Sequence, residues 1–162
     1  PGQFGFLSNC APAAKIILGD ARLTLAGQPA SGFDYLLIDA FSSDTIPIHL
    51  LTREAIALYM SRLKDDGLLV IHISNRHMEL QSAVSALARD AGVAVKTRTQ
   101  TTKPASLGDP VPSAVAIFAR NPETLVRFNE ELGWKQPAGN DVAAWTDDYS
   151  NILGAIWRKY SK

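Results

Sequence analysis

Three short clusters in this sequence carry residues that could do chemistry. Asp20 lies in "GDA" (19–21), Asp39 opens "DAFSSD" (39–44) and His72 opens "HISNRH" (72–77). Each sits at the end of an apolar run: "KIIL" (15–18), "DYLLI" (34–38) and "GLLVIHI" (67–73). A run that stops on a carboxylate or an imidazole brings a proton-handling group to the mouth of a buried strand.

Each group also has a plainer reading. Asp20 is placed to cap a short helix, "ARLTL". Alternatively, its carboxylate accepts from the exocyclic amino group of an adenine while the Ala21 N–H meets a ring nitrogen. The small Ala21 side chain would then let the ring approach closely. Asp39 ends its run without starting an obvious helix, which favours a functional role. Asp44, in "SSDTIP", suits a turn ahead of Pro47. In "WTDDYSN" (145–151), Thr146 or Asp147 suits a helix cap.

Several other chemistries find no support. His49, His72 and His77 lack metal-ligand spacing and have no cysteine companions, so no zinc site is expected. Ser42 and Ser43 are not in a G-x-S-x-G elbow, which argues against a hydrolase triad built on them. Neither a G-x-x-x-x-G-K-[ST] loop nor a G-x-G-x-x-G loop occurs.

The elements that must hold these clusters alternate along the chain. Strands are expected at "KIIL", "DYLLI", "GLLVIHI", "VAVKTR" (93–98) and "SAVAIFA" (113–119). Helical spacing of apolar residues fills the gaps between most of them. "LTREAIALYMSRLKDD" puts Ala55, Ile56, Leu58, Tyr59 and Leu63 on one face, with Thr52 as N-cap and Gly67 as the stop. "HMELQSAVSALARDAG" turns Leu80, Val84, Leu87 and Ala88 inward and stops at Gly92. "NPETLVRFNEELG" predicts a helix capped by Asn121, with Pro122 in its first turn. "DDYSNILGAIWRKY" predicts a last amphipathic helix with a basic end. Apolar strands alternating with helices imply an α/β fold with a doubly wound, mostly parallel sheet. Residues 99–112, rich in Pro and polar groups, read as a long loop suited to a lid.

Composition narrows the classes. Hydrophobic residues make up 46% of the 162 and charged residues 20%, as expected of one globular domain. Lys+Arg and Asp+Glu both number 16, so net charge gives no reason to expect nucleic acid as a partner. The apolar runs are too short to span a bilayer, and the first residues do not read as a signal peptide. Cys10 is the only cysteine, which excludes an internal disulfide and fits a reducing compartment.

Taken together, "GDARLTL", "FDYLLIDAFSSDTIPIHLLTREAIALYMSRLKDDGLLVIHISN" and "WTDDYSN" resemble the spermidine synthase-like branch of the class I methyltransferase fold. The resemblance runs from about residue 15 to the end and is most specific over 33–75. It implies a Rossmann-like sheet and a site for decarboxylated S-adenosylmethionine or S-adenosylmethionine, with a small-molecule amine or methyl acceptor. By this resemblance Asp20 and Ala21 match the adenine-contacting motif. Asp39 matches the carboxylate that activates the attacking amine, and Ser42, Asp44 and His72 fall in the acceptor-binding region. It further implies a cytoplasmic role in polyamine biosynthesis, with membrane attachment in some relatives.

The sequence departs from that pattern in three ways. The second acceptor carboxylate is expected three residues after Asp39, where Ser42 stands, and Asp44 is displaced by two. His72 stands where the family usually has Gln. The Gly-rich loop and the ribose-binding acid of the family's first two strands are not found. The chain is therefore expected to be the C-terminal portion of such a domain, inactive alone. Strands missing from between "KIIL" and "DYLLI" leave a gap, a direct pairing of those two, or an edge that borrows strands from another copy. A methyltransferase, and a non-catalytic interaction module on the same fold, are the alternatives.

Overall fold

The computed structural model of the chain describes residues 9–40, 46–101, 112–139 and 141–161. Its centre is a five-stranded sheet, and the strands follow the apolar runs with one exception. β1 is Phe33–Ile38, β2 Leu63–His72, β3 Ala94–Gln100, β4 Ser113–Ala119 and β5 Trp134–Lys135. The helices are α1 (Ala21–Ala26), α2 (Arg53–Arg62), α3 (Gln81–Ala91) and α4 (Ile152–Tyr160).

The spatial order is β1-β2-β4-β3-β5. β1 and β2 pair in parallel across the α2 crossover, with Leu36 opposite Leu69 and Ile38 opposite Ile71. β4 inserts antiparallel between β2 and β3, so β1, β2 and β3 all run in one direction. The sheet is thus mixed, with a single reversed strand inside a parallel frame and the short β5 antiparallel at the edge.

Alternation along the strands sorts the side chains onto two faces. Leu69, Ile71, Ala116 and Phe118 point to one face and pack with Ile56 and Tyr59 of α2 and with Val84 and Leu87 of α3. All are essentially excluded from solvent, and each large one contributes about 1.5–3 kcal/mol of burial. Leu68, Val70 and Ile117 point to the other face, where Leu125, Phe128 and Trp134 cover them. That cover does not reach β1, whose Tyr35 and Leu37 are 53% and 50% exposed.

Local chemistry explains where elements begin and end. Thr52 caps α2 by accepting the Ala55 N–H at 3.2 Å, as expected. Gly92, at φ 64°, closes α3 in the left-handed conformation, with its N–H bonded to Ala88 and Arg89 carbonyls.

Other expectations need correction. α2 stops at Arg62, five residues before Gly67. Arg120, at the end of β4, donates to the Met60, Leu63 and Lys64 carbonyls and so takes over bonds that a further helical turn would need. Gly67 instead serves the irregular start of β2, where the pairing register shifts. A Cβ there would lie 3.0 Å from the Lys64 carbonyl oxygen and 3.1 Å from Leu63. The helix expected from Asn121 is two single turns, Pro122–Leu125 and Glu130–Leu132. Asn121 does cap the first, but Lys96 Nζ binds the Leu125 and Phe128 carbonyls at 3.0 and 2.6 Å, ending the run.

"KIIL" is not a strand. Ile16, Ile17 and Leu18 are 71%, 59% and 90% exposed, and β1 pairs only with β2 among the described residues. Of the three arrangements expected for this region, direct pairing of "KIIL" with β1 is excluded within one chain. The reason is energetic: among the described residues no second apolar layer lies over this segment to repay the ordering of another strand. Most of the 99–112 loop lies outside the described residues.

Candidate functional site

Parallel strands place their carboxyl ends along one rim, where ligands bind in doubly wound sheets. Asp39 follows the last residue of β1 directly, and His72 is the last residue of β2. Because β1 and β2 are hydrogen-bonded neighbours in register, the two side chains meet. His72 Nδ1 lies 2.8 Å from Asp39 Oδ1. The other ring nitrogen, Nε2, lies 2.6 Å from Ser74 Oγ. Ser74 Oγ also accepts the Ala114 backbone N–H, at 2.8 Å, from the start of β4.

The donors and acceptors in this chain have one consistent direction when His72 is neutral. An ionised carboxylate only accepts, so Nδ1 carries the proton and Nε2 offers its lone pair to the Ser74 hydroxyl. The Asp39 side chain is 56% exposed and the His72 side chain 29%. Thus the carboxylate faces the open rim while the imidazole is tucked behind it.

Asp20 occupies a second cluster. Its Oδ1 accepts the Leu23 N–H at 2.9 Å, so the capping reading of Asp20 is what the fold shows. Its Oδ2 lies 3.3 Å from His49 Nε2. The Leu23 N–H, followed by the nearby His49, holds this carboxyl below its usual range. Ala21 is the first residue of the capped helix. Gly19 precedes the pair at φ 145°, a conformation that side-chain-bearing residues rarely adopt.

A buttress beneath this second cluster was not foreseen. Arg22 Nη1 and Nη2 donate to Asp147 Oδ1 and Oδ2, both at 2.7 Å, and Nη1 also donates to the His49 carbonyl at 3.0 Å. Thr52 Oγ1 donates to Asp147 Oδ1 at 2.8 Å, and the Asp147 N–H donates to Glu54 Oε2 at 2.9 Å. The guanidinium draws the Asp147 carboxyl down from 3.8 to about 2. Asp147 therefore is not a helix cap, as the sequence suggested; Asn151 caps α4 by accepting the Gly154 N–H. Its real task joins the "GDA" loop, the start of α2 and the "WTDDYSN" segment.

Ser42 and Asp44 lie outside the described residues. The structure brings Asp39 and His72 together and adds Ser74, which no recognised motif marks. Its signal was the H-x-S spacing at the end of a strand, since residues two apart leave a strand end on the same side. Among the described residues no group of three or more His, Cys, Asp or Glu side chains could hold a metal ion.

No known protein-family profile matches the chain. Over 58 residues it is 38% identical to the polyamine aminopropyltransferase of Vibrio vulnificus (strain CMCP6), a match covering 35% of this chain and 19% of that protein. Its fold matches the crystal structure of a probable spermidine synthase from Corynebacterium glutamicum ATCC 13032 with a TM-score of 0.56 and 19% identity. That match covers 88% of this chain and 57% of the solved one. The fold is spermidine synthase-like and Rossmann-like. The chain spans little more than half of that solved relative's length and about a fifth of the curated one.

Proposed function

We propose that this chain contributes the acceptor side of a spermidine synthase-like transferase site. In its full polypeptide the site binds decarboxylated S-adenosylmethionine and passes its aminopropyl group to a small-molecule amine. In this reading residues 1–162 are the C-terminal portion of that transferase domain. The observation that carries the reading is Asp39: a half-exposed carboxylate fixed at the carboxyl end of a strand on a fold of this type.

The chemistry gives Asp39 a task. A primary amine has a pKa of about 10 and is protonated, hence not nucleophilic, at neutral pH. A carboxylate within hydrogen-bond reach attracts the ammonium and accepts its proton as the nitrogen lone pair turns to the electrophile. The nitrogen then attacks the carbon beside the sulfonium, the C–S bond breaks, and methylthioadenosine leaves as a neutral thioether. Proximity supplies most of the acceleration, so a carboxylate held by strand geometry is the right kind of group. Asp20, Ala21 and the Arg22–Asp147 buttress would hold the adenine edge. Ser42, Asp44 and His72 would meet the acceptor.

Methyl transfer on the same fold is the second reading, and one observation favours it. His72 engages Asp39 Oδ1, leaving less anionic character for a diamine than a bare pair of carboxylates would offer. Replacing Asp39 with Asn in the natural polypeptide tests the assignment. Aminopropyl transfer to a diamine should fall by about 10²-fold or more while nucleoside binding persists. Unchanged turnover would remove Asp39 from the reaction.

A further inference from the structure

Asp39, His72 and Ser74 stand in a relation that aminopropyl transfer does not use. We propose that they form an acyl-transfer relay in which Ser74 is the nucleophile, acting on small carboxylic esters. The observation behind it is the order and length of the contacts. Asp39 to His72 Nδ1 is 2.8 Å and His72 Nε2 to Ser74 Oγ is 2.6 Å, the order carboxylate–imidazole–hydroxyl of a nucleophile and its oriented base. Such a constellation is recognised by geometry and roles, whatever the order of its members in the chain.

The surroundings supply the other parts. Ser74 lines a cavity of about 280 Å³ together with Asn75, Gln81, Thr99 and Lys159. The Ala114 N–H occupies one lone pair of Oγ and fixes its position, and the second lone pair remains for attack. The Asn75 side chain is pinned by its Oδ1, which accepts the His77 and Met78 N–H groups at 2.9 and 2.8 Å. Its Nδ2 is buried and has no hydrogen-bond partner among the described residues. Through the two bonds to Oδ1 the residue after the nucleophile is held rigidly at the cavity wall, which fixes the position of the Ser74 backbone as well.

In the first step Ser74 Oγ bonds to the ester carbonyl carbon and its proton passes to His72 Nε2. The carbonyl oxygen takes the negative charge of the tetrahedral intermediate. Collapse breaks the bond to the leaving oxygen, which takes the proton from Nε2, and leaves an acyl-serine. Water then attacks the acyl carbon with His72 again accepting a proton. The carboxylic acid leaves and Ser74 is restored.

The relay does not depend on nucleoside binding, so its test is separate from that of the transferase reading. The chain is treated with an alkyl fluorophosphonate, whose phosphorus bonds to the oxygen of an activated serine as fluoride leaves. Hydrolysis of p-nitrophenyl acetate is followed in parallel. The modified residue is located by peptide mass spectrometry in the unsubstituted chain, so no variant need fold for the result to count. Phosphonylation on Ser74 is expected, and His72→Gln, checked for an unchanged melting transition, should slow it by about 10²-fold or more. No adduct on Ser74, or equal labelling of a native-like His72→Gln chain, would overturn the proposal.

Discussion

Arg22 and Asp147, 125 residues apart in sequence, meet through two parallel hydrogen bonds of 2.7 Å. Bidentate geometry of this kind fixes orientation as well as distance. It sets the helix that Asp20 caps against the start of α2. Asp147 also receives the Thr52 hydroxyl, from a residue only 1% exposed. Asp147→Ala removes the acceptor for that buried hydroxyl and for Arg22 together. A loss of about 1–3 kcal/mol is expected, read as a lower denaturation midpoint with unchanged slope. A change within error would show that the buttress has no structural role.

The same pair gives a pH dependence with a definite sign. Arg22 depresses the Asp147 carboxyl from 3.8 to about 2 in the folded chain. A carboxyl with a folded pKa below its unfolded one stabilises the fold above the unfolded value and stops doing so as pH falls through the folded value. Stability should therefore drop between about pH 4 and pH 2, and Asp147→Asn should flatten that part of the curve. With the Asp147 side chain 42% exposed, added salt should weaken the effect. Thermal melts over this range, with and without salt, check both statements.

Two glycines should respond differently to alanine. At Gly92 a Cβ meets nothing within 4 Å, so Gly92→Ala costs only left-handed backbone strain, about 1–2 kcal/mol. Asn, which tolerates that conformation better, should recover part of the loss. At Gly67 the Cβ would press on backbone at 3.0 Å, and no change of rotamer relieves it. Gly67→Ala should thus lower the melting temperature more than Gly92→Ala. The reverse order would mean that the start of β2 yields more easily than its packing implies.

The open side of β1 should be adhesive. Among the described residues no strand pairs with it, and Tyr35 and Leu37 beside it are half-exposed. Sedimentation should show association that grows with concentration, and Leu37→Lys should reduce it. Identical profiles for the two chains would place any association elsewhere.

Much of this architecture was legible in the sequence because it rests on local rules. Four of five apolar runs became strands, and Thr52, Asn121 and Gly92 cap where their side chains or backbone freedom suit them. "KIIL" failed because β-propensity expresses packing, and no layer among the described residues packs on it. The "NPETLVRFNEELG" segment failed because Lys96, far away in sequence, claims its carbonyls. At the site, Asp39 was visible as a polar stop to an apolar run. Its bond to His72 depends on the register of β1 against β2, which no local pattern encodes. Ser74 was hidden because it lies outside any strand-to-helix elbow, and Asp147 by its resemblance to an ordinary cap.

The central claim, that this chain forms part of an adenosylmethionine-type site, is tested most directly by binding. Methylthioadenosine and S-adenosylmethionine would be titrated calorimetrically into this chain and into the natural polypeptide that contains it. The account predicts saturable one-to-one binding to the polypeptide, weakened by Asp20→Ala, and weaker or no binding to the chain alone. Absence of binding to both, for both nucleosides, would contradict it.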